Sequence, residues 1–162
     1  MHSLIYQIST EPISKANYIN MEYIEAGEMT FIDYAYETDT DERKGLIGEL
    51  AGRILPKGMF TVGQDGETLI YQGGFDEWRK SYLKLIKNRA AAITEADVMK
   101  WIGPTYRLQR AIVNPLETDT LFVIDFDTRF ALAERSKELM TMIERLDKGA
   151  QLYIGTIAGY HF

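Results

Sequence analysis

Two aspartates one residue apart end an apolar run in "LFVIDFDTRF", residues 121–130. On a strand, Asp125 and Asp127 project from the same face as Leu121 and Val123, while Phe122, Ile124 and Phe126 take the other. Their Cα atoms would stand about 6–7 Å apart, from a rise of roughly 3.3 Å per residue. Such a pair could hold one Mg²⁺ or Mn²⁺ together with waters. With Asp33 from another strand, it could serve metal-dependent phosphoryl or phosphodiester hydrolysis. The same residues have a plainer use. The strand leaves the core at Asp125, and Asp127 or Thr128 caps a helix beginning near Phe130. That use explains the change from apolar to charged residues without any ligand, so the expectation is no catalytic residue, no metal and no cofactor, with the Mg²⁺ or Mn²⁺ hydrolase as the alternative.

The run resembles the opening motif of haloacid-dehalogenase-like phosphatases, an apolar strand followed by Asp-x-Asp. That family has Thr or Val two positions after the second acid; here Arg129 stands there and Thr128 comes one step early. Only 35 residues follow Asp127, too few for the remainder of that family's core, and the family is set aside. Other chemistries lack their residues. The chain has no cysteine, which removes thiolate metal sites, disulfides and cysteine nucleophiles. Its two histidines, His2 and His161, lie next to the ends, where chains commonly fray. No serine sits in a G-x-S-x-G setting, and no glycine-rich phosphate loop occurs.

What remains is surface. Residues 1–50 carry 3 basic and 10 acidic side chains, residues 51–115 carry 10 and 6, and residues 116–162 carry 5 and 8. The chain is acidic as a whole, at −6, which argues against non-specific nucleic-acid binding. Its basic middle keeps a nucleic-acid-associated protein using a basic helix as a second alternative. On the helix expected around 76–93, Lys80, Lys84 and Lys87 form a stripe at 100° per residue. A solvated face accounts for such a stripe. A sharper use is contact with the acidic N-terminal third, within one chain or between two copies. Trp78 and Trp101, with Tyr71, Phe75 and Tyr106, could line a pocket or form a protein contact, or simply be core.

These residues must be positioned by recognisable elements. "SLIYQIS" (3–9) alternates Leu4, Tyr6 and Ile8 against Ile5 and Gln7, as a strand does. A second strand is expected over 28–38. A helix follows from a cap at Thr38 or Asp39, with Leu46, Ile47, Leu50, Ala51, Ile54 and Leu55 on one face and a stop at Pro56 and Gly58. Gly45, Gly48 and Gly52 inside it suggest close approach to a neighbour. "GQDG" between two β-rich runs predicts a hairpin. Helical spacing returns in 75–93, and Thr94 with Asp97 opens a short helix ended by Gly103-Pro104. Residues 104–113 read as a strand or a short helix; the strand, pairing with 120–127, is the expectation. A helix ended by Gly149 and a strand over 151–157 complete the chain.

Strands in hairpin-like pairs and helices in a group predict one globular α+β domain over 1–162. Its sheet is expected to be mainly antiparallel, with about four helices packed predominantly on one face. No apolar run reaches the roughly 18 residues of a membrane span, and no signal-peptide pattern is seen. The overall expectation is a small cytoplasmic, non-enzymatic binding protein. It would act through a protein partner or as a homo-oligomer, without a membrane, using Lys80, Lys84, Lys87, Trp78 and Trp101 as a possible interaction surface.

Overall fold

Strand β1 (His2–Ser9) obeys its alternation. Tyr6 and Ile8 point into one core, Ile5 into a second on the opposite face of the sheet. The computed structural model describes residues 2–25, 32, 34–124 and 133–161. After β1 come a short helix α1 (Met21–Glu25), strand β2 (Tyr34–Glu37) and helix α2 (Arg43–Glu49), which continues as one wider turn over Leu50–Ile54. The Leu55 amide there donates to the Leu50 carbonyl five residues back, at 2.9 Å. A hairpin of β3 (Phe60–Val62) and β4 (Thr68–Tyr71) leads to the long helix α3 (Phe75–Ala91). Helix α4 (Pro104–Val113), strand β5 (Leu121–Val123), helix α5 (Ser136–Ile143) and strand β6 (Gln151–His161) follow.

The α+β class holds, but the sheet is mixed. Its order is β3-β4-β6-β1-β5, with β2 also paired to β6. β5 runs parallel to β1, Ile5 opposite Leu121 and Gln7 opposite Val123, while the other ladders are antiparallel. The last strand is the centre of the fold. Along one side β6 pairs with β1; along the other, Gln151–Tyr153 pair with β4 and Ala158–His161 with β2. His161 is therefore held in the sheet, its ring stacked on Tyr34 at 5.4 Å, where terminal fraying was expected. β6 also runs four residues past the predicted end at 157.

One extra residue in β6 sets which side chains face which core. Tyr6 lies opposite Ile157 but Ile8 lies opposite Ile154, so the register slips by one at Gly155–Thr156. Leu152 and Ile154 face the first core before this bulge; Ile157 faces it after, leaving Ala158 and Tyr160 to the second. An uninterrupted period of two would have put Ile157 on the wrong face. A Cβ at Gly155 would overlap the Gln7 carboxamide. The first core is completed by Ile47 and Leu50 of α2 and its extension, Leu139 and Ile143 of α5, and Phe75 at the start of α3. The second takes Ile24 from α1 and Ile32. Helices thus contribute to the cores on both faces.

Other expectations also differ from the structure. Residues 104–113 are helix α4, not a strand. Pro104 at its first position has φ already set for a helix, and a strand face through Tyr106, Leu108 and Ile112 would also have carried Arg110. No close neighbour among the described residues explains Gly45, Gly48 and Gly52, since a Cβ at any of them would meet none of their atoms within 4 Å. The helix expected over 129–149 begins, among the described residues, at Ser136; Glu134 before it bridges to Phe122 through two 2.8 Å backbone bonds.

Candidate interaction surface: a basic hairpin with an apolar tip

Helices α3 and α4 pack mainly against each other. Phe75 is the one buried side chain of α3, and Ala111 that of α4. At the base, Phe75 meets Trp78 at a tilt and Trp78 stacks on Tyr82, with ring centroids 5.2 and 5.1 Å apart. The Tyr82 hydroxyl donates to the Ala111 carbonyl at 3.2 Å, which ties the helices where Ala111 has no bulk to hold them apart. Arg79 pairs with Glu144 just beyond α5, at 2.9 Å. From this anchored base α3 extends about 1.5 Å per residue, or roughly 20 Å from Trp78 to its end.

The connection between the helices is ordered by its own polar groups. The Thr94 amide donates to Asp97 Oδ1 at 2.9 Å and its hydroxyl to Asp97 Oδ2 at 2.7 Å. The pairing expected of Thr94 and Asp97 therefore forms, but it closes turns rather than an α-helix. These bonds, that of the Thr94 amide first, hold the Asp97 carboxyl below the usual carboxylate range. The result is a tip that presents Val98, Met99, Trp101 and Ile102 to solvent. Met99 is 92% exposed, Trp101 88% and Ile102 75%. Large apolar side chains scattered singly need no explanation, whereas four within five residues form a patch.

Beside Ile102 and Tyr106 lies a cavity of about 320 Å³ lined by Arg89, Arg107 and Arg110. Arg89 is engaged by Glu117 and reaches the Arg107 carbonyl at 3.4 Å. Arg110 stands 3.8 Å from Asp119, and Arg107 forms no ion pair among the described residues. Residues 75–113 carry eight basic and four acidic side chains.

Of the residues singled out beforehand, Lys80, Lys84 and Lys87 lie exposed along α3, and Trp101 is at the tip. Trp78 belongs to the base and packs against the first core, so the two tryptophans are not brought together. Tyr71 and Phe75 are core, and Tyr106 is exposed near the tip. Asp33, Asp125 and Asp127 lie outside the described residues. Among the described residues no group of three or more His, Asp or Glu side chains is placed to hold a metal ion. Nor is any helix among them long and apolar enough to cross a membrane. The arginine cavity was missed beforehand, because Arg89 meets Arg107 and Arg110 only through the packing of two helices. The tip carried a readable signal: "VMKWI" is far more apolar than an interhelical turn needs to be.

A second concavity lies at the far side of β6. Between β4 and β2 its carbonyls would be open, and Arg43 closes that gap. Its guanidinium donates to the Ile154 and Gly155 carbonyls, each at 2.7 Å, pairs with Glu67 at 2.5 Å, and lies over the Tyr18 ring at 5.6 Å. Thr38 covers the next carbonyl, that of Ile157, at 2.7 Å. The groove over this seam has a volume of about 910 Å³. Ile13, Ile19, Tyr18 and Tyr153 give it apolar walls, and Glu37, Asp39 and Asp65 stand at it with Lys15 as the one other charge besides the Arg43–Glu67 pair. A bond from the Glu67 amide, joined by the hydroxyl and amide of Thr68, holds the Asp65 carboxyl below its ordinary range. No local pattern announces this groove, since it is assembled from four separate stretches of chain.

No family model, curated protein or solved structure matches this chain.

Proposed function

We propose that this protein works by binding, and that the α3–α4 hairpin is its docking element for an acidic segment of a protein partner. The observation that carries the reading is the exposure of Met99, Trp101 and Ile102, the last of which lines a cavity together with three arginines and Glu117. Burying such side chains is worth roughly 1.5–3 kcal/mol each when they leave water completely. Tryptophan and arginine are also the residue types that dominate protein contacts energetically. An arginine cavity favours carboxylates, which it can bind by paired hydrogen bonds. The partner's complementary face therefore combines apolar side chains with Asp or Glu. The ordered turn at Thr94–Asp97 supports the reading, because a preformed tip loses little conformational entropy on binding.

The test is photo-crosslinking in the cells that make the protein, with the reactive residue at position 101 and, as control, at Thr61 on edge strand β3. One adduct of discrete mass from position 101, competed away by unmodified protein and lost when Arg107→Glu is added, is the expected result. Adducts no different from those at position 61 would refute the hairpin as a docking element.

A further inference from the structure

The hairpin and the groove complement each other. One is an apolar tip flanked by arginine and lysine; the other is an apolar-walled cleft with carboxylates at its mouth. Beyond Glu37 and Asp39 the chain adds Asp41 and Glu42, both exposed, at the entrance to α2. Glu11, exposed, precedes the groove-lining Pro12 in the chain. Carboxylates thus outnumber the cation Lys15 at the cleft, and "ETDTDE" (37–42) is the densest acidic stretch of the chain.

Within one chain this complementarity goes unused. The ion pairs formed by hairpin side chains reach Asp76, Glu117, Asp119 and Glu144. None among the described residues joins the hairpin to residues 1–50. The groove's arginine is not free to recruit an acidic ligand of its own, since Glu67 and two carbonyls hold it. What the cleft leaves on offer is negative charge and apolar wall, which suits a basic, apolar-tipped guest.

Resting on the docking role proposed above, we infer that the occupant of the groove is the hairpin tip of a second copy of this chain. The tip's Trp101 and Ile102 enter the cleft, while Arg107 and Arg110 meet Glu37, Asp39 and their neighbours at the rim. The contact is head-to-tail: each copy gives a hairpin and receives another in a different place. An interface of that kind is not self-complementary, so it closes into rings, of which a reciprocal exchange between two copies is the smallest, or extends into open chains. Charge steers it, and raised salt weakens it.

Two variants separate the halves of the interface. Trp101→Ser with Ile102→Ser removes the tip, at positions that are already in water. Glu37→Lys with Asp39→Asn spoils the rim and keeps the side-chain oxygen that accepts the Asp41 amide at 3.1 Å. Sedimentation velocity of each protein, and of an equimolar mixture, is run in 50 mM and 500 mM NaCl, with circular dichroism melts to show that both variants fold. The native chain should form reciprocal dimers or larger species at low salt, with affinity at least several-fold weaker at high salt. Each variant alone should associate about tenfold more weakly or not at all. Mixed, they should give one species of twice the monomer mass, built from the intact tip of one and the intact groove of the other. A native chain that stays monomeric at high micromolar concentration overturns the inference; a crosslink from position 101 to a different protein would then leave the docking role standing. Association that survives the rim variant but not the tip variant also overturns it, in favour of tip-to-tip contact.

Discussion

Replacing Gln7 by Leu keeps most of the bulk, on a side chain one bond shorter, at a position that is 1% exposed. It also removes three hydrogen bonds at once. The Gln7 Nε2 donates to the Asn17 carbonyl at 2.9 Å, and its Oε1 accepts the Ile19 amide at 3.1 Å and the Thr156 amide at 2.9 Å. Those bonds pin the 10–20 connection, one wall of the groove, to the bulge in β6. Leucine would leave two backbone donors and one acceptor without their protein partner. A buried group stranded in this way costs about 1–3 kcal/mol. Ile19 and Thr156 both border the groove, where water can reach in part, so the low end applies to each group. The three together come to about 3 kcal/mol, or roughly 6–12 °C in melting temperature for a chain of this size. Chemical denaturation measures the stability, and native-state hydrogen exchange should show the Ile19 and Thr156 amides losing protection first. A loss under about 0.5 kcal/mol, within the range of an ordinary surface substitution, would refute the view that this carboxamide holds the groove wall in place.

Two further outcomes follow from the same kind of accounting. Gly48 lies in α2 with open space where its side chain would be, so Gly48→Ala should raise stability by about 0.5–1 kcal/mol, read from the denaturation midpoint. Asp97 titrates below the ordinary aspartate value because the Thr94 amide and hydroxyl bind its ionised form and Lys100 favours it. A lowered folded-state value means that the turn's support is complete above the unfolded value of about 3.9 and is lost as pH falls through the folded one. The Thr94 amide resonance should therefore hold steady from neutral pH down to about 5 and move with a midpoint below about 3.9; a midpoint at or above that value would show that the tip is not ordered by this carboxylate.

Several elements were legible in the chain because their causes are local. The alternation of Leu4, Tyr6 and Ile8 identifies β1 whatever lies beside it, and the glycines of "GQDG" supply the turn of the β3–β4 hairpin, with Gly66 at φ +73°. Phe75, Trp78 and Tyr82 repeat at helical spacing and do form the inner face of α3. The acid pair at 125 and 127 attracted chemistry on spacing alone, and lies outside the described residues.

Whatever depended on a distant partner had to wait for the tertiary structure. Residues 104–113 contain apolar positions that fit either period, and it is α3, packed against Ala111 and bonded through Tyr82, that gives a helix something to lie on. The parallel pairing of β5 with β1 joins residues more than a hundred positions apart, which no short window contains. Arg43 reads as one more charge on an amphipathic helix until β6 brings two unpaired carbonyls beneath it. Exposure is decided the same way. "VMKWI" is apolar in the sequence, but its exposure is read only from the structure, where no other described element covers the hairpin tip. Periodicity specifies which face of an element is apolar; what that face meets is settled by the rest of the chain, or by another molecule.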